Sequence, residues 1–291
     1  MEQFLSAVGF KDIVDKEEVD NIIQNILTAP TEKYISNFGE NTIKVEYCKW
    51  FGSKLGIIIR GELDENEEVK IHSIIPYKKG NNLMEIREVD IMDFEDKDDF
   101  YVYFEDRKTG TPITFCLQNA IDYLDIGEEQ NAYINHVSLV AMSIEGTIIL
   151  PINKEEIDIM VEEEEEKWRA SLLELAREGD EEAIQLLEID ADQNAEIFQM
   201  RFKNEDLLSI LEGYFIPYGL EDEQYSLMGT IENFSLEVNS YTSEEVYILD
   251  ILCLNFRLEV CINKKDLIGV PSKGMRFKGI CKVYGQVEFI Q

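Results

Sequence analysis

The chain has 291 residues, 45% of them hydrophobic, with 15 Phe and 13 Tyr, which is enough to bury more than one core and excludes a disordered chain. Sixty acids against 27 bases leave a formal net charge of −33 at pH 7, a field that as a whole repels nucleic acid and anionic membranes. No apolar run approaches the ~18 residues of a spanning helix, and Met1-Glu2-Gln3-Phe4-Leu5 carries neither the basic nor the apolar region of a secretory signal.

From the N-terminus, Phe4-Leu5-x-x-Val8-Gly9-Phe10 predicts a helical turn stopped by glycine. Asp15 then offers an N-cap, and Val19, Ile22, Ile23, Ile26 and Leu27 follow at helical spacing up to Pro30. At Thr42 the period changes to that of strands. Thr42–Trp50, Leu55–Leu63 and Val69–Ile75 are β-branched or aromatic runs separated by turn residues, which predicts an antiparallel meander. Glu85–Phe94, Phe100–Glu105 and Thr111–Phe115 continue the strands, and Leu117–Leu124 reads as a short helix. Val137–Ile144 and Thr147–Ile152 read as a hairpin joined through Glu145-Gly146.

Lys154–Tyr214 is an acidic helical block. Asn153 can cap its first helix, in which the apolar stripe Ile157, Met160, Val161 resumes at Trp168, Leu172 and Leu175 after five glutamates, Glu162, Glu163, Glu164, Glu165 and Glu166. Gly179-Asp180 ends that helix and caps a second with Ala183, Ile184 and Leu187 facing inward, and Asn204 can cap a third. After Gly219 the chain returns to strands, Tyr225–Leu236, Glu245–Leu252, Phe256–Ile262, Met275–Tyr284 and Gln286–Ile290, with a helical turn at Asn263–Leu267. Five strands with a helix between the third and fourth is the order of an OB-type barrel, although the same count fits an unrelated small barrel or sheet. The expected architecture is therefore α+β: a mainly antiparallel β-rich N-terminal lobe over 1–153, an acidic helical connector over 154–214, and a small β-barrel-like C-terminal lobe over 215–291.

Phe4-Leu5-Ser6-Ala7-Val8-Gly9-Phe10, Tyr214-Phe215-Ile216-Pro217-Tyr218-Gly219, Glu244-Glu245-Val246-Tyr247-Ile248-Leu249, Cys261-Ile262-Asn263-Lys264-Lys265-Asp266-Leu267-Ile268-Gly269 and Gly274-Met275-Arg276-Phe277-Lys278-Gly279 carry a resemblance to another set of proteins. On these segments the chain resembles, nearly end to end, an uncharacterised family of acidic bacterial cytosolic proteins of the DUF3881 type. The resemblance implies no activity and no catalytic residues.

The residues themselves point away from familiar chemistry. The five cysteines, Cys48, Cys116, Cys253, Cys261 and Cys281, are odd in number and form no Cys-x-x-Cys pair, so buried reduced thiols and a cytoplasmic location are expected. Asp190-x-Asp192-x-Asn194 begins like a calcium loop, but Ala195 stands where the turn needs glycine and Arg201 where the bidentate glutamate belongs. Asp64-x-Asn66-x-Glu68 fails in the same way, and His72 and His136 have no second His or Cys at ligand spacing. Nucleophile elbows and phosphate-binding glycine loops are absent, so no metal, cofactor or catalytic residue is expected.

Two patches remain. The run Glu162–Glu166 is a candidate docking face for a basic protein partner or a solvated helix turn. Lys264–Lys282 holds six cations against Asp266, and strand alternation places Arg276, Lys278, Lys282 and Tyr284 on one face, a surface suited to single-stranded nucleic acid. Pairing of these cations with the acidic helices is the competing expectation. The leading reading is a non-catalytic interaction or scaffold protein whose partner is another protein. A weak single-stranded nucleic-acid binder and an enzyme without a recognisable motif are the alternatives.

Overall fold

The apolar cluster near the N-terminus folds as a 3-10 turn over Gln3–Val8 that buries Phe4, Leu5, Ala7 and Val8. It belongs to a computed structural model that describes residues 3–13, 15–38, 42–53, 55–86, 89–94, 99–126, 133–152, 156–221 and 223–290. Helix α1 (Lys16–Thr28) starts where Asp15 accepts a hydrogen bond from the Glu17 amide at 3.0 Å, as the cap signal predicts, and buries Ile22 and Ile26. The predicted meander then forms with one strand added in front. Strands β1 (Glu32–Phe38), β2 (Thr42–Trp50), β3 (Leu55–Leu63) and β4 (Val69–Lys78) pair antiparallel in sequence order. Asp64 holds the turn between β3 and β4 by accepting from the Asn66 and Glu68 amides, both at 2.8 Å, and these bonds keep its carboxyl below the usual range.

The second sheet begins with β5 (Leu83–Glu85), β6 (Asp90–Phe94), β7 (Asp99–Glu105) and β8 (Pro112–Leu117), then helix α2 (Ala120–Ile126) and strand β9 (Tyr133–Ile149). Three helices follow: α3 (Glu156–Arg177), α4 (Glu181–Phe202) and the single turn α5 (Leu207–Ile210). The chain then adds β10 (Tyr214–Pro217), β11 (Gln224–Val238), β12 (Glu245–Cys253), β13 (Phe256–Asn263), β14 (Leu267–Ile268) and β15 (Arg276–Ile290). All eleven strands from β5 onward share one sheet, ordered β10-β11-β12-β13-β9-β15-β8-β7-β6, with β5 and β14 on β9 and a further pairing of β11 with β15.

The small C-terminal β-barrel-like lobe, OB-type or otherwise, is thereby corrected. The tail does not close on itself as a small barrel. β13 pairs parallel with β9 from Glu259↔Val140 to Ile262↔Ser143, and β15 pairs antiparallel with β9 from Arg276↔Ile149 to Ile290↔Tyr133. The tail strands thus complete a large sheet that the N-terminal half begins.

The physical reason lies in one glycine. Gly146 does not turn a hairpin: β9 continues through it as one strand of 17 residues, long enough to meet β5, β13, β14 and β15. A Cβ at Gly146 would stand 2.4 Å from the Phe277 ring and 2.7 Å from Ile262 Cδ1, so this glycine makes room for a buried aromatic.

The sheet is buried on both faces along its centre. In β9, Val137, Leu139 and Ala141 join a core with β7, β8 and β10–β15, while Val140 and Met142 join a second core with the N-terminal turn, α1 and the first sheet. That alternation is the period of two of a strand, used here to hold two cores on one strand. The five cysteines are all free and buried. Two ion pairs are buried at the junction of the sheets: Arg60 with Glu46 within the first sheet at 2.6 Å, and Lys78 with Glu259 across the two sheets at 3.1 Å. Among the described residues no helix is long and apolar enough to cross a membrane.

The helical block departs from expectation at both ends. The proposed cap Asn153 lies outside the described residues. Asp180 caps α4 as predicted, accepting from the Glu182 and Ala183 amides, but Asp206 and not Asn204 caps α5. The Asn204 side chain instead donates back to the Met200 carbonyl at 3.1 Å.

Candidate functional site

The basic face predicted on the last long strand is not a surface. Arg276 is buried and donates to the Leu150 carbonyl from Nε (2.9 Å) and Nη2 (2.8 Å) and to the Leu211 carbonyl from Nη1 (2.6 Å). Burial lowers its pKa, since the charged form loses water. Lys282 is buried 3.0 Å from Glu223, with its ammonium 5.8 Å from the centre of the Tyr284 ring, and Tyr284 is fully buried. Of the four, only Lys278 is exposed.

The alternation itself holds, with Phe277, Cys281 and Val283 in one core and Tyr284 in the other, but β15 is a central strand covered on both sides. The expected pairing of these cations with the acidic helices is also corrected. Lys264 pairs with Glu245 at 2.7 Å, Lys265 with Asp12, and Lys282 with Glu223, acids that all lie outside the helices.

Arg276 has a structural task instead. Leu150 and Leu211 are the two ends of the helical excursion, and one guanidinium holds both carbonyls. Replacing it (Arg276→Met) strands these acceptors at a cost of about 1–3 kcal/mol. Limited proteolysis is expected to cut within 150–211 faster in that variant than in the parent.

The excursion itself is the exposed part of the molecule. α3 and α4 form a hairpin turned at Gly179, whose φ is +89°. Arg169 of α3 binds Asp190 of α4 at 2.6 Å and Glu165 at 3.3 Å, and the bond to Asp190 raises the guanidinium pKa. Near its turn Glu174 meets Arg107 at 2.7 Å, and Arg177 donates to the Arg107 carbonyl at 3.0 Å. Leu172 and Ala183 are buried, whereas the predicted stripe residues Met160, Val161, Trp168 and Leu175 stay exposed, as does Ile184.

Of the predicted acidic docking face, Glu162, Glu164, Glu165 and Glu166 are exposed, and the Glu163 side chain lies outside the described residues. With its amide nitrogen turned toward Glu166, Asn255 donates to both carboxylate oxygens at 3.1 Å. The run is therefore not a free surface, and members of it already have partners, Glu165 in Arg169 and Glu166 in Asn255.

The larger unpartnered surface is on α4. Leu186, Ile189, Ile197 and Met200 are 37%, 53%, 52% and 59% exposed. At about 100° per residue they fall, with Gln193, within roughly 80° of arc, on a face beside the one that carries Ala183. The exposed carboxylates Glu182, Asp192 and Glu196 lie within or beside that stripe. The sequence carries this period openly, but only Ala183, Ile184 and Leu187 are expected from it as the apolar face of this helix, and the stripe is not singled out.

Asp190 and Asp192 lie in the body of α4 and not on a loop, and no group of three or more His, Cys, Asp or Glu suited to a metal occurs among the described residues. His72 lies 3.8 Å from Glu62 and His136 3.9 Å from Glu288, each beside a carboxylate of a neighbouring strand.

A family model described as "Domain of unknown function, E. rectale Gene description (DUF3881)" matches residues 5–285, a span that takes in both sheets and the helical hairpin. No curated protein and no solved structure matches the chain.

Proposed function

We propose that this chain, which belongs to the bacterial family DUF3881, acts by binding and not by catalysis, with α4 as the docking face for a basic amphipathic helix of a partner protein. The observation that carries the reading is the exposed stripe Leu186, Ile189, Ile197 and Met200 bordered by carboxylates. An apolar stripe at helical spacing accepts a second helix by side-chain interdigitation, and acids along its margin select a cationic one. A second copy of the chain is disfavoured because it would set Glu182, Asp192 and Glu196 against their own kind under a net charge of −33. Relative to the expected docking face at Glu162–Glu166, the proposed surface shifts to the neighbouring helix, where apolar area supplies affinity and charge supplies selection.

The test uses a synthetic helical peptide of leucine and lysine with one apolar face, read by fluorescence anisotropy against the full chain. Saturable micromolar binding is expected, weakening as salt rises. Ile189→Ser and Ile197→Ser should each weaken it about tenfold, and a glutamate version of the peptide should not bind. Equal binding of both peptides, indifference to the two substitutions, or a dimer in sedimentation that Ile189→Ser dissolves would each overturn the proposal.

A further inference from the structure

A cavity of about 300 Å3 opens between the first sheet and the second, where β1, β2 and β4 meet the start of α2 and the strands β9 and β15. This volume is at the small end of ligand pockets. Its walls are aromatic. Trp50 and Tyr77 lie with ring centres 4.8 Å apart, and Tyr34 stands at the mouth, its hydroxyl donating to Glu32 at 2.9 Å. The rest of the lining is rich in acceptors. Glu32, Asp122 and Glu288 bring three carboxylates against one lysine, Lys79; Asp122 also accepts from Asn119 Nδ2 at 3.0 Å, Glu288 lies 3.9 Å from His136, and a fourth carboxylate, Glu46, is held by Arg60 at 2.6 Å.

Gln118 sharpens the picture. It is buried at the wall, its amide nitrogen donates to the Pro76 carbonyl at 3.2 Å, and its carbonyl oxygen has no hydrogen-bond partner. Burial first, and then the charges of Glu32 and Glu46, hold the Cys48 proton more tightly than usual; burial first, and then Glu32 and Asp122, act in the same direction on Tyr34. The carboxylates thus set a negative field at these two groups. An anion would enter against this field, and a neutral apolar ligand would leave the carboxylates uncompensated.

From these walls we infer that the cleft is a binding site for a small organic cation, an alkylamine or alkyldiamine, whose methylenes lie against Trp50 and Tyr77 and whose ammonium is held by Glu32 and Asp122. Aromatic faces attract an ammonium directly, and carboxylates at the mouth complete its neutralisation. The site is independent of the α4 surface and makes no use of it.

A chain of charge −33 attracts every cation weakly, so the experiment has to separate a site from an atmosphere. Trp50 and Trp168 are the two tryptophans, and Trp168→Phe leaves Trp50 as the sole indole reporter. Putrescine is titrated into this full-length variant at about 0.15 M salt, where exposed charges are screened beyond ~8 Å. Emission is followed, and calorimetry gives the stoichiometry; succinate and butanediol serve as the anionic and neutral four-carbon controls.

The expected result is saturation at one putrescine per chain with a change in Trp50 emission. Glu32→Gln and Asp122→Asn should each weaken binding at least fivefold, while Glu178→Gln, which removes one charge on the remote hairpin, leaves it unchanged. Thermal melts verify that each variant folds. Many weak sites, equal effects of all three charge removals, no saturation, or butanediol binding as well as putrescine would overturn the inference.

Discussion

Replacing Arg60 by methionine is expected to destabilise the protein by about 3–5 kcal/mol, a drop of roughly 10 °C in Tm. Arg60 is 3% exposed on β3. Its Nε reaches Glu46 of β2 at 2.6 Å, its Nη1 lies 3.5 Å from Asp99 of β7, and its Nη2 donates to the Leu117 and Gln118 carbonyls at 2.5 and 3.1 Å. One guanidinium therefore joins the first sheet to the end of β8 in the second. Its removal leaves Glu46, itself buried, without the charge that compensates it, and frees two carbonyls at the junction with α2. Breaking one side of a buried pair costs more than replacing both sides, so the double variant Arg60→Met/Glu46→Leu should recover much of the loss.

The effect also carries a pH signature. Burial raises the Glu46 pKa in the folded protein, and Arg60 is the first-ranked influence opposing that rise. A carboxyl whose folded pKa lies above its unfolded value contributes stability that is present at pH below the unfolded value and is lost as pH climbs through the folded one. Without Arg60 the rise is larger, so the deficit of the variant relative to the parent should be smallest near pH 5 and widen toward neutrality. Denaturant melts of both proteins across that range test this. Taking the difference removes the general relief of charge repulsion that acid gives to both chains. A deficit below about 1 kcal/mol, or one that is flat with pH, would mean that water reaches the pair.

How much of this was legible in the sequence depends on whether a signal is local. The Asp15 and Asp180 caps, the stripe Ile22/Ile26 and three of the four strands of the first sheet, β2 to β4, were readable, because each rests on residues within one or two turns of each other. The parallel pairing of β13 with β9 was not. A parallel neighbour is joined by no turn, and here about 100 residues and the whole helical hairpin intervene. The basic strand failed for a related reason. Alternation states which residues share a face, but not whether that face is covered, and β15 proves to be central and covered on both sides. The cleft residues Tyr34, Tyr77, Gln118 and Asp122 come from four separate elements or junctions, and their juxtaposition is a property of the two sheets packing together.

Glycine is where the reading most directly misled, and the same position yields the second large prediction. Phe277 is fully buried in the core enclosed by the eleven-stranded sheet, so Phe277→Ala is expected to cost about 3–5 kcal/mol through lost transfer energy and the cavity left behind. Gly146→Ala alone is expected to cost about 1–3 kcal/mol, because its methyl would stand 2.4 Å from the Phe277 ring with Ile262 Cδ1 2.7 Å away on another side. The two losses should not add. In the Phe277→Ala background the methyl enters space the ring has vacated, and the end of the Ile262 side chain can yield into the same space. Gly146→Ala should then be near neutral, giving a coupling of about 1–3 kcal/mol in a double-mutant cycle. Additivity to within about 0.5 kcal/mol would instead mean that Gly146 is needed for its backbone, as in the hairpin the sequence suggests, and that β9 does not continue past Phe277 as one strand.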